Sequence, residues 1–168
     1  WRQLAVINAL PVPKTLRPKV FVKAGARTNP RCYRSRYHGI LSRGRDWKLD
    51  CDLPELHSNK HPYRLPHDVI LSNLRPDLFI ISMSLRIIVF IELTCPNEEN
   101  MDKLRTEKLK RYEELCRFIS SGWSAHLYTV ECCSRGFINM ASFMELTSEL
   151  DITGYKRKQL RNQCSRQS

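Results

Sequence analysis

The segment "DLFIISMSLRIIVFIELT", residues 77–94, constrains the fold more than any other part of the chain. It contains two apolar runs, residues 78–81 and 87–91, that are rich in the β-branched and aromatic residues favoured in strands. Only a short break around residues 82–85 separates the two runs. The pattern therefore predicts two consecutive strands that are joined by a short turn to form a β-hairpin.

Further elements are predicted on both sides of this hairpin. "WKLDCDL", residues 47–53, alternates apolar and polar side chains, which indicates a half-buried strand. Residues 97–121 are predicted to form a helix with Asn97 as its cap and an acidic first turn. A strand over residues 125–132 and a second helix over residues 138–150 follow. The order strand, strand, strand, helix, strand, helix predicts an α/β fold.

The N-terminal part has no sustained periodicity. Residues 1–31 are rich in Pro, Lys and Arg and are interpreted as an extended arm, with "KVFVKAG" as a short strand or docking segment. Within "NPRCYRSRYHGILSRG", residues 29–44, Tyr33, Tyr37 and Ile40 are spaced three to four apart, which favours a short helix. Residues 54–66 contain three prolines and are interpreted as a loop.

The amino-acid composition limits the classes of protein to which this chain can belong. With 168 residues, 42% hydrophobic and 27% charged, the chain is long enough for one globular domain. No apolar run reaches the roughly 18 residues that a membrane span needs, and no signal-peptide pattern begins the chain. The first residue is Trp rather than Met, as in a piece of a longer polypeptide. The seven cysteines include no CxxC pair, which favours reduced, structural thiols in an intracellular protein.

The net charge of +11 is unevenly distributed. Residues 1–45 hold 11 Lys or Arg and no acid, and residues 155–168 hold five Lys or Arg and no acid. This asymmetry divides the chain into a basic arm (1–45), a core (46–154) and a basic tail (155–168). It indicates a polyanionic partner held by sequence-independent phosphate contacts, with a solvated basic surface as the alternative.

Two acidic residues, Asp77 and Glu92, bracket the hairpin. If its centre lies between residues 84 and 85, facing residues have numbers that sum to 169, and Asp77 faces Glu92 on the same side of the sheet. Two carboxylates this close repel each other unless a proton or a cation lies between them, and oxygen ligands are what Mg²⁺ favours. The alternative is that Asp77 only begins a strand and Glu92 faces solvent.

Lys108 interrupts the apolar stripe of the helix that follows. The stripe runs through Met101, Leu104, Tyr112, Leu115 and Ile119 in steps of three and four, and Lys108 occupies a core-facing position on it. A lysine here either extends to solvent along its aliphatic stem or brings its ammonium group to the two carboxylates. Arg105 and Arg111, which flank the same face, are alternatives for that role.

The series "RDWKLDCDL", "LRPDLFIIS", "VFIELTCPNEEN", "EKLKRYEEL", "GWSAHLYTVE" and "SRGF", with "FVKAG" upstream, resembles the PD-(D/E)XK, or restriction-like, endonuclease domain found in animal retroelement-derived reading frames. The resemblance implies a central mixed sheet flanked by helices, with Asp77, Glu92 and the carbonyl of Leu93 binding Mg²⁺, which Mn²⁺ can replace. One position departs from the pattern: Thr94 stands where the triplet has lysine, and Lys108 on the next helix is the substitute that the resemblance implies.

We therefore expect a metal-dependent DNA endonuclease that acts in the nucleus, next to a reverse transcriptase region of the same polypeptide. The alternatives are an inactive nucleic-acid-binding domain on the same scaffold and a protein-interaction module that docks an acidic partner. The expected catalytic residues are Asp77, Glu92 and Lys108, and the expected nucleic-acid contacts are Arg31, Arg34, Arg36, Arg43, Arg45, Arg75, Lys156, Arg157 and Lys158.

Overall fold

A computed structural model of the chain describes residues 6, 39–52, 64–70, 72–117, 119 and 121–166. These residues do not include the expected segment "KVFVKAG" or most of the expected short helix and loop. They also do not include Arg31, Arg34 and Arg36. The described elements are, in chain order, β1 (Lys48–Cys51), β2 (Leu78–Ser82), β3 (Ile87–Thr94), α1 (Met101–Arg117), β4 (Ser124–Glu131), α2 (Met140–Glu149) and α3 (Gly154–Arg166). Short 3₁₀ turns at Ile40–Arg43 and Glu98–Asn100 precede β1 and α1.

The four strands form one mixed sheet in the order β1-β2-β3-β4. The pairs β1–β2 and β2–β3 are antiparallel, whereas β3 and β4 are parallel and are joined through α1. The fold is therefore α/β, as the sequence predicts. The hairpin register is confirmed, because Leu78 pairs with Ile91 and Ile81 pairs with Ile88, so that each pair sums to 169.

Helices cover both faces of this sheet. Leu78, Ile80, Val89 and Ile91 point to one face and pack in a core with residues of α2 and α3. Phe79, Ile81, Ile88 and Phe90 point to the other face and pack against Tyr112 and Leu115 of α1. Because both faces are covered, β2 and most of β3 are buried on both sides, which explains why their sequences are apolar without alternation.

α1 begins later than the sequence pattern predicts. Residues 98–100 form a 3₁₀ turn, and the α-helix covers residues 101–117 of the predicted 97–121. Asn97 takes the N-cap position of the 3₁₀ turn, but its side chain makes no capping hydrogen bond; instead its carbonyl accepts from the Asn100 N–H at 2.9 Å. No helix in the described parts of the chain has the length and hydropathy that membrane crossing requires.

The division that leaves residues 155–168 outside the core needs correction, because residues 154–166 form α3. Leu160 and Cys164, one turn apart on this helix, are 1% and 4% exposed and belong to the core that also contains Phe143. The Cys132 thiol donates to the Cys164 carbonyl at 3.3 Å, which fixes the end of α3 against the end of β4. No disulfide joins any two of the six described cysteines.

Asp46 holds the turn between β2 and β3. One carboxylate oxygen accepts from the hydroxyls of Ser82 and Ser84 at 2.6 and 2.7 Å, and the other accepts from the Ser84 N–H at 2.8 Å. These hydrogen bonds, the one from Ser82 above all, hold the pKa of Asp46 well below its usual value. The turn also places Arg86 at φ 52, a left-handed conformation that costs energy for a residue with a side chain.

We predict that Asp46→Asn lowers the melting temperature at pH 7, because an amide NH₂ would face one of the donors. Because the pKa of Asp46 is lower in the folded than in the unfolded state, where it is about 4, this carboxylate stabilises the fold at pH values above about 4. The stabilisation is lost as the pH falls below that value. The difference in melting temperature between wild type and Asp46→Asn should therefore shrink between pH 5 and pH 3 in thermal denaturation followed by circular dichroism. A difference that stays constant over this range, or matches that of the exposed control Glu99→Gln, would contradict the assignment.

Candidate active site

Asp77 and Glu92 meet at the open end of the hairpin. Asp77 immediately precedes β2, and Glu92 lies near the end of β3, one residue beyond the Leu78–Ile91 pair. The Asp77 N–H donates to Glu92 Oε1 at 3.1 Å, and the Leu93 N–H donates to Asp77 Oδ2 at 2.7 Å. The Glu92 carboxylate therefore accepts from the backbone of Asp77, and the Asp77 carboxylate accepts from the backbone next to Glu92. These side-chain hydrogen bonds extend the pairing of β2 and β3 by one position.

Lys108 reaches this pair from α1. Its Nζ donates to Glu92 Oε2 at 2.6 Å. The Glu92 side chain is 1% exposed and that of Lys108 is 27% exposed, so that the ammonium group lies between the buried carboxylate and the protein surface. A buried carboxylate is costly unless it is paired and hydrogen-bonded, and Lys108 supplies the positive charge that compensates Glu92. The structure thus brings Asp77, Glu92 and Lys108 together.

Tyr112 forms the inner wall of the site one turn after Lys108. Its ring is buried, its hydroxyl donates to the Arg75 carbonyl at 3.2 Å, and Lys108 Nζ lies 5.8 Å from the ring centroid. Burial, followed by the nearby Glu92 carboxylate, raises the pKa of Tyr112 well above its usual value. Tyr112 therefore stays protonated at neutral pH and acts as a hydrogen-bond donor that ties α1 to the chain just before Asp77.

The oxygen atoms at this end of the sheet suit a hard divalent cation. A strand residue points its N–H and C=O to the same side, so that the Leu93 carbonyl points toward Asp77 as its N–H does. Thr94, whose carbonyl accepts from Cys132 at 2.9 Å, faces β4 instead. Within the described residues no group of three or more His, Cys, Asp or Glu is arranged as a metal site. Two carboxylates and one carbonyl fit Mg²⁺, which keeps several waters.

Glu131 extends the polar cluster and was missed by the sequence analysis. It ends β4 opposite Thr94, while Thr129 lies opposite Glu92. Glu131 is fully buried; its Oε2 accepts from the Ser142 hydroxyl at 2.7 Å. Glu131 Oε1 and the hydroxyls of Thr94 and Thr129 are buried without a hydrogen-bond partner among the described atoms. An acidic residue at the end of the strand segment "HLYTVE" is the same sequence signal that indicates a role for Glu92.

Two of the arginines near the site, Arg75 and Arg105, lie close to other acidic residues. Arg75 Nη2 lies 3.7 Å from Asp52 Oδ1, at the exposed rim two residues before Asp77. Arg105 Nη2 lies 3.6 Å from Glu145 Oε2 on α2, and the Arg111 side chain is exposed. Among Arg105, Lys108 and Arg111, Lys108 is the residue that contacts Glu92.

The other predicted nucleic-acid contacts among the described residues lie away from the carboxylates. Arg43 and Arg45 are exposed and flank Gly44, next to the side chain of Leu85 in the β2–β3 turn. Five residue steps along β3, from Ile87 to Glu92, separate this turn from the site by roughly 16 Å.

The second basic group is at the junction of α2 and α3. Lys156 and Lys158 are exposed, whereas Arg157 donates to the Ile152 carbonyl at 3.0 Å and to the Ser148 hydroxyl at 3.1 Å. The Gly39 N–H donates to Asp151 Oδ1 at 2.7 Å, which brings the segment before Arg43 to this junction. Arg157 therefore joins the two helices, and the other basic residues surround the end of the sheet opposite Asp77 and Glu92.

Comparison of the chain with models of protein families, with curated proteins and with solved structures gives no match. The function is therefore inferred from the arrangement of these residues.

We predict that the Lys108–Glu92 pair is energetically coupled. Lys108→Met should lower the free energy of unfolding by about 1–3 kcal/mol, because a buried carboxylate loses its counter-charge but keeps the Asp77 N–H. The double variant Lys108→Met/Glu92→Gln should be more stable than the sum of the single effects implies, by about 1 kcal/mol or more in urea unfolding at pH 7.

The exposed pair Arg117–Glu113, with Nη2 and Oε1 2.7 Å apart, provides the matched control. Its coupling, measured with Arg117→Met and Glu113→Gln, should be roughly 0.5 kcal/mol or less because solvent screens both groups. Additive effects at Lys108 and Glu92, or a coupling no larger than that of the control, would show that the contact does not stabilise the site.

Proposed function

We propose that this protein is a Mg²⁺-dependent DNA endonuclease with a PD-(D/E)XK core, of the kind found in retroelement-derived reading frames. The observation that carries the proposal is the 2.6 Å contact between Lys108 and Glu92. It supplies, from α1, the cation that Thr94 cannot provide at the lysine position of the triplet, because a hydroxyl carries no positive charge at neutral pH.

The proposed reaction is hydrolysis of a phosphodiester. A water oxygen forms a bond to phosphorus, one P–O ester bond breaks, and the leaving oxygen takes a proton. Asp77, Glu92 and the Leu93 carbonyl would hold Mg²⁺, which when bound supplies charge stabilisation on the phosphate and a lowered pKa for water. The half-buried Asp77 and fully buried Glu92 fix the position of this charge at the end of the hairpin.

Lys108 has two tasks in this arrangement. Its side chain is 27% exposed, so that a phosphate group at the surface can reach Lys108 while the ammonium group remains paired with Glu92. Positive charge at this point stabilises the negative charge that develops on the phosphate oxygens, and the remaining N–H groups can orient the attacking water. Tyr112 keeps α1 in place through the Arg75 carbonyl and is a positioning residue.

The basic residues support binding of a polyanion rather than catalysis. Arg43, Arg45, Lys156 and Lys158 are exposed at the far end of the sheet, and Arg75 is at the rim of the site. We propose that they contact phosphates of the DNA backbone on either side of the scissile bond, together with the other basic residues of the basic arm (1–45). The implied setting is the nucleus, next to a reverse transcriptase region of the same polypeptide.

One observation favours a second candidate function, a binding domain that has lost catalysis. Both oxygens of Glu92 already accept hydrogen bonds, from the Asp77 N–H and from Lys108. A carboxylate whose two oxygens both accept hydrogen bonds in this way is stable without a bound metal ion. Such a protein would bind DNA through its basic residues and would not cleave it.

Cleavage of supercoiled DNA in the presence of Mg²⁺ tests the proposal. We expect wild-type protein to nick the DNA and EDTA to abolish nicking. Asp77→Asn, Glu92→Gln and Lys108→Met should each lower the cleavage rate by roughly 100-fold or more, because each removes charge that acts in the transition state. Binding of the same DNA in a filter assay should change by less than about threefold.

Arg111→Gln, a charge loss on the same helix at an exposed position, is the matched control and should cleave at close to the wild-type rate. DNA binding without cleavage by wild type would establish the binding-only alternative. A loss in Arg105→Gln that exceeds the loss in Lys108→Met would move the cationic role to Arg105.

A further inference from the structure

The turn between β4 and α2 projects from the sheet at the end where the candidate site lies. Cys132 pairs with Ile138 across it, the Cys133 N–H donates to the Phe137 carbonyl at 2.8 Å, and the Gly136 N–H donates to the Cys133 carbonyl at 3.0 Å. Gly136 has φ 84, a conformation that favours glycine. We refer to residues 133–137, with the sequence CSRGF, as the CSRGF turn. Its backbone hydrogen bonds give it a defined shape.

Two large side chains of this turn face solvent. Phe137 is 56% exposed, and Arg135 is exposed at the tip. Met140, at the start of α2, is 44% exposed next to them in the chain. Exposed aromatic and apolar side chains grouped together on a soluble protein mark a binding surface more often than a single exposed residue does.

The CSRGF turn lies beside the carboxylates. β4 ends at Glu131, and the Glu131 carbonyl accepts from the Asn139 N–H at 2.9 Å, so that both ends of the turn meet at this residue. Glu131 lies on β4, the strand next to β3, and it is two residues beyond Thr129, the residue that pairs with Glu92. These offsets separate the Cα atoms of Glu92 and Glu131 by roughly 8 Å. The turn that carries Phe137 therefore starts from the end of the sheet where Glu92 lies.

We propose that the CSRGF turn binds an unpaired nucleotide next to the scissile phosphate, with Phe137 stacked on the base and Arg135 paired with a phosphate. This inference rests on the proposed nuclease function and adds a substrate class to it: DNA with a single-stranded segment at the cut site. In a duplex the faces of the bases are covered by their neighbours, whereas an unpaired base offers its face to an aromatic ring.

The chemistry of the turn favours nucleic acid over another apolar partner. An aromatic side chain next to a cation is the combination that single-stranded nucleic acid requires, one group for the base and one for the backbone. The guanidinium of Arg135 can make two hydrogen bonds to a phosphate, and no acidic residue lies within the turn itself. Met140 continues the apolar contact with a flexible side chain that adapts to different bases.

The proposal is tested by equilibrium binding in the Glu92→Gln background, in which cleavage is blocked. The probes are a single-stranded oligonucleotide with one 2-aminopurine and the fully paired duplex of the same sequence. We expect Phe137→Ala to weaken binding of the single strand by roughly 5- to 100-fold and to reduce quenching of 2-aminopurine fluorescence. Binding of the duplex should change by less than about twofold, and Phe137→Trp should retain both single-strand affinity and quenching.

Met83→Ala is the matched control, because Met83 is a similarly exposed apolar residue (45%) in the β2–β3 turn at the opposite end of the sheet. Its binding to both probes should equal that of the parent protein. Equal losses for single strand and duplex, no loss for either, or the same loss in Met83→Ala would overturn the proposal; a turn used for a protein partner would give no loss for either.

The two proposals fail separately. Selective loss of single-strand binding in Phe137→Ala, in a protein whose wild type does not cleave DNA, would support the CSRGF turn and reject the nuclease. Cleavage by wild type together with unchanged single-strand binding in Phe137→Ala would do the reverse.

Discussion

The reciprocal hydrogen bonding of Asp77 and Glu92 holds together the end of the sheet on which the site depends. Asp77 accepts from Leu93 and donates its N–H to Glu92, so that the hairpin cannot slip by one residue without losing both contacts. The same register directs Glu92 toward α1, where Lys108 and Tyr112 lie. The buried charge of Glu92 thus determines the position of α1 as well as the pairing of β2 and β3.

The two ends of the sheet differ in the charged side chains that they carry. At the end formed by Asp77, Glu92 and Glu131, Glu92 and Glu131 are buried; Glu92 pairs with Lys108, and Glu131 accepts from the Ser142 hydroxyl. At the opposite end, Arg43 and Arg45 are exposed near the β2–β3 turn, and Lys156 and Lys158 are exposed at the start of α3. A nucleic acid bound across both ends, as proposed, would meet these basic residues roughly 16 Å from Glu92, about the length of β3 between them.

The sequence predicts those features that depend on neighbours close in the chain. The spacing of Asp77 and Glu92 about residue 84.5 is enough to derive their pairing, because a hairpin register follows from the turn. The position of Lys108 on an otherwise apolar stripe indicates that it faces the sheet, but its partner among the carboxylates depends on how α1 crosses β3, which the helical period does not determine. The four-strand order also depends on which edge β4 joins.

Features that depend on distant contacts escape such reasoning. α3 has only Leu160 and Cys164 as apolar residues on its buried side, too few to stand out from its lysines and arginines. The segment before Arg43 packs on the α2–α3 junction because Gly39 has no side chain, and a Cβ there would collide with the carbonyls of Ser148 and Glu149. That contact, more than 100 residues apart in the chain, carries Arg43 away from the carboxylates.

Titration of the 168-residue chain with Mn²⁺, followed by the loss of the free-ion electron paramagnetic resonance signal of Mn²⁺, tests the central claim most directly. The account predicts that wild type binds Mn²⁺, that Asp77→Asn and Glu92→Gln each abolish this binding while the fold persists, and that Arg111→Gln binds as wild type does. Mg²⁺ should compete for the same site. Unchanged Mn²⁺ binding in Asp77→Asn and Glu92→Gln, or no binding by folded wild-type protein, would contradict the assignment of these carboxylates to a cation site.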